Sequence, residues 1–155
     1  HPVHVIPAFG RNLLPIAEMA ALAGGYLREQ GLGDVLLVAH SKGGLIGKTL
    51  MAADEGRIHS MVAVNSPFGG SDYAHLLPIR RLREFVPTHE TIRAPAGIAE
   101  VNARITSVYS SWDPIIPNGS ALDGATNIEL AVTGHFRILD RPELLDILEA
   151  SASHA

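Results

Sequence analysis

The sequence contains no cysteine, which excludes disulfides and thiolate metal sites but leaves the compartment open, since many secreted enzymes also lack it. Lysine occurs only at Lys42 and Lys48, no basic run is present, and the formal net charge is -4. Such a surface is not built to neutralise phosphates, so nucleic acid is not an expected partner. No apolar run approaches the roughly 18 residues of a membrane span, and no positively charged leader precedes a hydrophobic segment. No membrane span is expected, and the chain reads as soluble. What is present is a chain of 155 residues, 46% of them hydrophobic, enough to bury the core of one globular domain over residues 1–155. The chain opens on His1, directly before a strand-like segment, which suggests processing, an imposed boundary or a missing upstream part.

Val3-His4-Val5-Ile6 is β-branched and ended by Pro7 and Gly10, as expected of a first strand entering a loop. From Leu13 to Gln30, apolar residues recur at helical spacing, with Asn12 before them, Pro15 in the first turn and Gly31 after them. Val35 to Ala39 is a continuous apolar run bounded by turn residues, the pattern of a strand buried on both faces of a parallel sheet. A helix from Leu45 to Ala53 and a strand from Ile58 to Val64 follow. Residues 67–103 break this rhythm with prolines, the arginines Arg80, Arg81 and Arg83, and apolar pairs such as Leu76-Leu77, and read as an excursion over the sheet. Strands resume at Ile105–Tyr109 and Ile128–Val132, and a capping box, Asp140 with Glu143, opens the last helix. The alternation predicts an α/β fold: a mostly parallel sheet of about five strands with helices on both faces. In such folds ligands bind at the carboxyl ends of the strands.

Ser41, Asp113 and His135 each fall just after a predicted strand end. Ala39-His40-Ser41-Lys42-Gly43 sits where a buried strand turns into a helix, and its small residues at Ala39 and Gly43 let that turn close. It is an A-x-S-x-G form of the nucleophile elbow, with alanine where glycine is usual. The elbow exposes the serine hydroxyl and aims a helix amino end, with the Lys42 backbone N–H, at a developing oxyanion. The bland alternative makes Ser41 a mere helix cap, but the strand before it and the helix after it favour the nucleophile. Gly43-Gly44-Leu45-Ile46-Gly47-Lys48-Thr49 ends like a phosphate-binding loop; that pattern needs glycine where Lys42 stands, so Lys48 reads as a helix-surface cation.

A serine hydroxyl is a weak nucleophile at neutral pH and needs a base, which in turn needs a carboxylate to fix its tautomer. Asp113 and His135 follow Ser41 in the order serine, acid, histidine. Asp123 has no adjacent strand end and Asp140 is taken as a cap; His59 lies within a strand, and His75 and His89 lie in the excursion. His40 is read as a packing or hydrogen-bonding neighbour. His1 and His4 are three apart in a predicted strand, where same-face neighbours are two apart, so no metal is expected.

The segments His40-Ser41-Lys42-Gly43-Gly44, Trp112-Asp113-Pro114 and Gly134-His135-Phe136 resemble bacterial lipase- and esterase-like α/β-hydrolases, including their H-S-K-G-G variant. The resemblance covers nearly the whole chain. It implies Ser41 as nucleophile, Lys42 as an oxyanion N–H donor, Asp113 as acid, His135 as base, and a lid between residues 67 and 103. Members of that family carry further strands upstream, including one whose following loop gives the second oxyanion donor. Two arrangements follow. Either those strands are missing and Val3–Ile6 corresponds to the family's fourth strand, or Val3–Ile6 pairs beside Val35–Ala39 and the Phe9 N–H is the second donor.

The expected function is hydrolysis of carboxylic esters, small-molecule or lipid, through an acyl-enzyme on Ser41, with no cofactor. Acyl transfer to another alcohol uses the same residues. A catalytically silent binding module and a nucleotide-binding protein dependent on Lys48 are the readings from other classes.

Overall fold

A computed structural model of the chain describes residues 2–9, 14–53, 56–69 and 98–153. Within them lie helix α1 (Ile16–Glu29), strand β1 (Val35–His40), helix α2 (Lys42–Ala53), strand β2 (Ile58–Val64), helix α3 (Ile98–Ala103), strand β3 (Ile105–Trp112), strand β4 (Thr126–Thr133) and helix α4 (Pro142–Ala152). The four strands form one sheet in the order β1-β2-β3-β4, every pair parallel. No described helix is long and apolar enough to cross a membrane.

Strand alternation sends side chains to two cores. Met61 and Ala63 of β2 pack with Ile16, Met19 and Leu27 of α1, Leu45, Ile46 and Leu50 of α2, and Val101 of α3. Val62 and Val64, on the opposite face, pack with Val108, with Ile138 of a short 3-10 turn (Arg137–Asp140), and with Leu144 of α4. The apolar run of β2 is thus buried on both faces, as a central parallel strand requires.

The expected first strand is absent. Val3 and Val5 are 90% and 78% exposed, and residues 2–6 carry no strand assignment before a 3-10 turn at Pro7–Phe9. Val3, Val5 and Ile6 are β-branched and have the propensity for a strand, but residues 2–6 pair with no described strand, and propensity without pairing stabilises nothing. Ile6 and Phe9 pack against the α1–α2 core instead. β1, accordingly, is hydrogen-bonded to β2 alone and forms the edge of the described sheet, with Val38 exposed.

The capping box also gives way. Asp140 ends the 3-10 turn, Arg141 holds the N-cap position without a side-chain cap, and Pro142 opens α4. Glu143 pairs with the Arg141 guanidinium at 2.8 Å, on the surface. Proline at the first helical position explains this, because it removes one of the N–H groups a cap would serve and presets the helical φ. Of the excursion expected over residues 67–103, residues 70–97 lie outside the described residues; Ile98–Ala103 forms α3, with Val101 in the core.

The glycines after the elbow divide by the space they have. A Cβ on Gly43 would meet the Ala39 Cβ at 3.5 Å, an ordinary contact, so this position does not demand glycine. A Cβ on Gly44 would overlap the Ser66 hydroxyl and lie 2.5 Å from the Ser66 Cβ, a short side chain with nowhere to go. The strict requirement therefore falls one residue later than the elbow pattern places it, and it comes from α2 crossing the end of β2. Gly44→Ala is expected to lower stability by about 2 kcal/mol through overpacking. Gly43→Ala is expected to raise it by about 0.5 kcal/mol through helix propensity. Urea midpoints of the two variants check both signs.

Candidate active site

The described sheet brings the three expected site residues to the carboxyl ends of their strands. Ser41 follows β1 immediately, with φ +55, and its N–H donates to the Val64 carbonyl at 2.9 Å, continuing the β1–β2 ladder one step past the strand. α2 starts at Lys42, three residues earlier than the periodicity suggests, so Ser41 is the whole turn between strand and helix. A left-handed φ in a non-glycine residue is uncommon and costs about 1 kcal/mol or more. Here it lets the chain reverse in a single residue. Lys42 is the first residue of α2, at the positive end of its dipole, and its Nζ donates to the Leu14 carbonyl at 2.6 Å.

Asp113 follows β3 and is 6% exposed. Its two carboxylate oxygens have separate partners. Oδ1 accepts the backbone N–H groups of Ile115 at 2.8 Å and Ile116 at 3.3 Å, closing a turn on itself. Oδ2 faces His135 Nδ1 at 2.6 Å. With one oxygen fixed by backbone and the other by imidazole, the carboxylate has little rotational freedom. His135 is 5% exposed and follows Gly134, whose φ of +107 turns the chain out of β4. Since Asp113 accepts at Nδ1, the neutral ring carries its proton there and its lone pair on Nε2, which has no partner among the described residues.

His40 links the serine turn to the histidine. Its Nε2 donates to the His135 carbonyl at 3.1 Å, and its ring lies 4.6 Å from the His135 ring and 5.4 Å from that of Phe136. Burial holds the His40 imidazole below the ordinary histidine value. The His135 charge lowers it further, while the bond to the His135 carbonyl and the Asp113 charge oppose the shift.

Two residues that sequence reasoning passes over complete the cluster. Asn65, fully buried at the end of β2 with φ +42, donates from Nδ2 to the His135 carbonyl at 3.0 Å and accepts the Ser110 N–H on Oδ1 at 2.9 Å. Ser110 donates its hydroxyl to the Gly134 carbonyl at 2.9 Å. The available signal was Asn65-Ser66-Pro67 directly after a buried strand, since asparagine tolerates the left-handed region that such a strand end can require.

Other expectations resolve differently. The Phe9 N–H, expected as a second oxyanion donor, donates to the Ile6 carbonyl at 3.3 Å and closes the 3-10 turn. Lys48 lies within α2, half-buried, with Nζ 5.8 Å from the centre of the Phe68 ring and a pKa lowered by burial. The residues that looked like a phosphate loop are helix. His59 is on β2 at the opposite end of the sheet and pairs with Asp34 at 3.3 Å. His75 and His89 lie outside the described residues. Among the described residues, no group of three or more His, Asp or Glu is placed to hold a metal ion.

No family model matches the chain, and no curated protein matches it. Solved structures resemble it in fold. A monoacylglycerol lipase of Paleococcus ferrophilus is 15% identical with a TM-score of 0.61, over 92% of this chain and 77% of that one. An extracellular α/β-hydrolase from a Paenibacillus species is 17% identical with a TM-score of 0.58, over 91% of this chain and 81% of that one. A structure from work on the carboxylesterases of the thaumarchaeon Nitrososphaera gargenis is 14% identical with a TM-score of 0.57, over 92% of this chain and 74% of that one. At such identities the likeness speaks for the fold alone, and together with a parallel sheet covered by helices on both faces it gives this chain an α/β-hydrolase-like fold.

Proposed function

We propose that this chain is a serine hydrolase that cleaves carboxylic esters through an acyl-enzyme on Ser41. The observation that carries the reading is the buried pair of His135 Nδ1 and Asp113 Oδ2 at 2.6 Å, tied through His40 to the turn that holds Ser41 at φ +55. A buried imidazole whose second nitrogen holds a lone pair, and a serine on a strained turn at the carboxyl edge of the same sheet, suit general-base activation of that serine.

In the proposed mechanism Ser41 Oγ attacks the ester carbonyl carbon while His135 Nε2 takes its proton. Asp113 holds the tautomer and stabilises the imidazolium. The carbonyl electron pair moves to oxygen, where the Lys42 backbone N–H and the amino end of α2 stabilise the charge. Collapse expels the alcohol, which takes its proton from His135 Nε2. Water then repeats the sequence on the acyl-enzyme, with His135 as base, and releases the carboxylic acid. If another alcohol replaces water in this last step, the product is a new ester, and competition by added alcohols measures that share. Solved structures of this fold include lipases and carboxylesterases, which supports an ester substrate, small-molecule or lipid.

Intact-mass labelling by a fluorophosphonate, followed by peptide mapping, tests the reading. One adduct per chain, located on Ser41, is expected. Folded protein that takes up no label, or takes it up elsewhere, overturns it.

A further inference from the structure

The carbonyl of His135 is held from two sides. Asn65 Nδ2 donates to it at 3.0 Å from the end of β2, and His40 Nε2 donates at 3.1 Å from the end of β1. The preceding residue is fixed as firmly, for the Gly134 N–H donates to the Trp112 carbonyl at 2.8 Å and its own carbonyl accepts from Ser110 Oγ at 2.9 Å. Asn65 is the common member: it also reaches Ser110 Oγ at 3.1 Å and Gly134 O at 3.5 Å, and accepts the Ser110 N–H. It is 0% exposed and sits at φ +42, with its N–H on the Val108 carbonyl at 3.0 Å.

We infer that Asn65 is a positioning residue that sets the place of the His135 imidazole by clamping the His135 and Gly134 carbonyls to the end of β3; this rests on the proposed role of His135 as base. Only an amide fits the position. It must donate toward two carbonyls and accept from one N–H, all without solvent, and an unpaired polar group there is unfavourable. A carboxylate would turn an acceptor toward the His135 and Gly134 carbonyls. An alanine would strain the left-handed backbone. Asparagine meets both demands, since its short amide side chain is among the few that tolerate positive φ. Asp113 fixes the ring at Nδ1, but a ring held at one atom still moves if its backbone moves, and Asn65 removes that freedom. A displacement of about 1 Å in a reacting group costs on the order of 10²-fold in rate.

Asn65→Gly separates the clamp from the backbone, because glycine adopts φ +42 without strain and lacks the amide. Ile58→Ala, a fully buried residue at the amino end of β2, serves as a control that destabilises the fold away from the site. Two readouts are needed. The first is the rate of fluorophosphonate labelling of Ser41 per folded molecule, across pH; Asn65→Gly is expected to slow it about 10²-fold and Ile58→Ala to leave it unchanged. The second is the nuclear magnetic resonance signal of the His135 Nδ1 proton shared with Asp113, which is expected to persist in Ile58→Ala and to be lost to exchange in Asn65→Gly. A folded Asn65→Gly that keeps this proton and the parent labelling rate overturns the inference. If the parent chain takes no label yet the proton is lost only in Asn65→Gly, the clamp stands and the hydrolase reading fails.

Discussion

Replacing Ser41 by alanine is expected to abolish fluorophosphonate labelling and to lower ester turnover by at least about 10⁴-fold, because the remaining groups have no atom to acylate. Replacing it by glycine should have the same effect on turnover and the opposite effect on stability. Ser41 holds φ +55, a conformation glycine adopts without a Cβ conflict, so Ser41→Gly should be more stable than the parent by about 1 kcal/mol. Its thermal midpoint should rise, whereas that of Ser41→Ala, which keeps the strain, should not. Among the described residues three non-glycine residues have positive φ, Asp34, Ser41 and Asn65, and the last two stand at the adjacent ends of β1 and β2. Strain retained at a functional position and released by an inactivating substitution is the trade-off expected of an active site. A Ser41→Gly variant that unfolds earlier than the parent, or a Ser41→Ala variant that keeps more than a tenth of the turnover, contradicts this account of the turn.

The parts of this architecture that were legible in the sequence are those where one physical demand dominates. Val35–Ala39 and Ile58–Val64 read as buried strands from their apolar runs, and both lie in the sheet. Met61–Val64 is buried as expected, whereas Val35–Ala39 is only partly buried with Val38 exposed, because β1 is the edge of the described sheet. Order along the chain and nearness to strand ends pointed to Ser41, Asp113 and His135, and the fold does bring His135 onto Asp113. Legibility ended where two demands competed or where the partner is distant in sequence. Val3–Ile6 has strand propensity but no neighbouring strand, and Asp140 with Glu143 has the spacing of a cap but is displaced by Pro142. Gly44, not Gly43, is the glycine without room, because the obstacle is Ser66, contributed by a different strand end. Asn65 and Ser110 are 45 positions apart, and their shared hold on Gly134 follows from the β2–β3 register, in which Val64 pairs with Val108. No local pattern encodes that register.

The turn that Asp113 closes on itself makes the outcome of Asp113→Asn unusually definite. An amide has one acceptor and one donor end, so it must choose which faces His135. The N–H groups of Ile115 and Ile116, now on Oδ1 at 2.8 and 3.3 Å, demand the amide oxygen. The amide nitrogen is then turned toward His135 Nδ1, where it donates. Nδ1 must become an acceptor, the ring proton moves to Nε2, and the nitrogen that should take the serine proton already carries one. The substitution leaves volume and turn unchanged, so the fold and its thermal midpoint should hold, while turnover falls by about 10⁴-fold. Asp113→Ala, by contrast, removes the acceptor of two backbone N–H groups and should cost stability as well, about 1 to 3 kcal/mol. Nitrogen chemical shifts of the His135 ring report the tautomer directly, with the proton on Nδ1 in the parent and on Nε2 in Asp113→Asn. An Asp113→Asn variant that retains both the parent tautomer and its turnover would remove Asp113 from the mechanism and leave the short bond to His135 as a structural contact only.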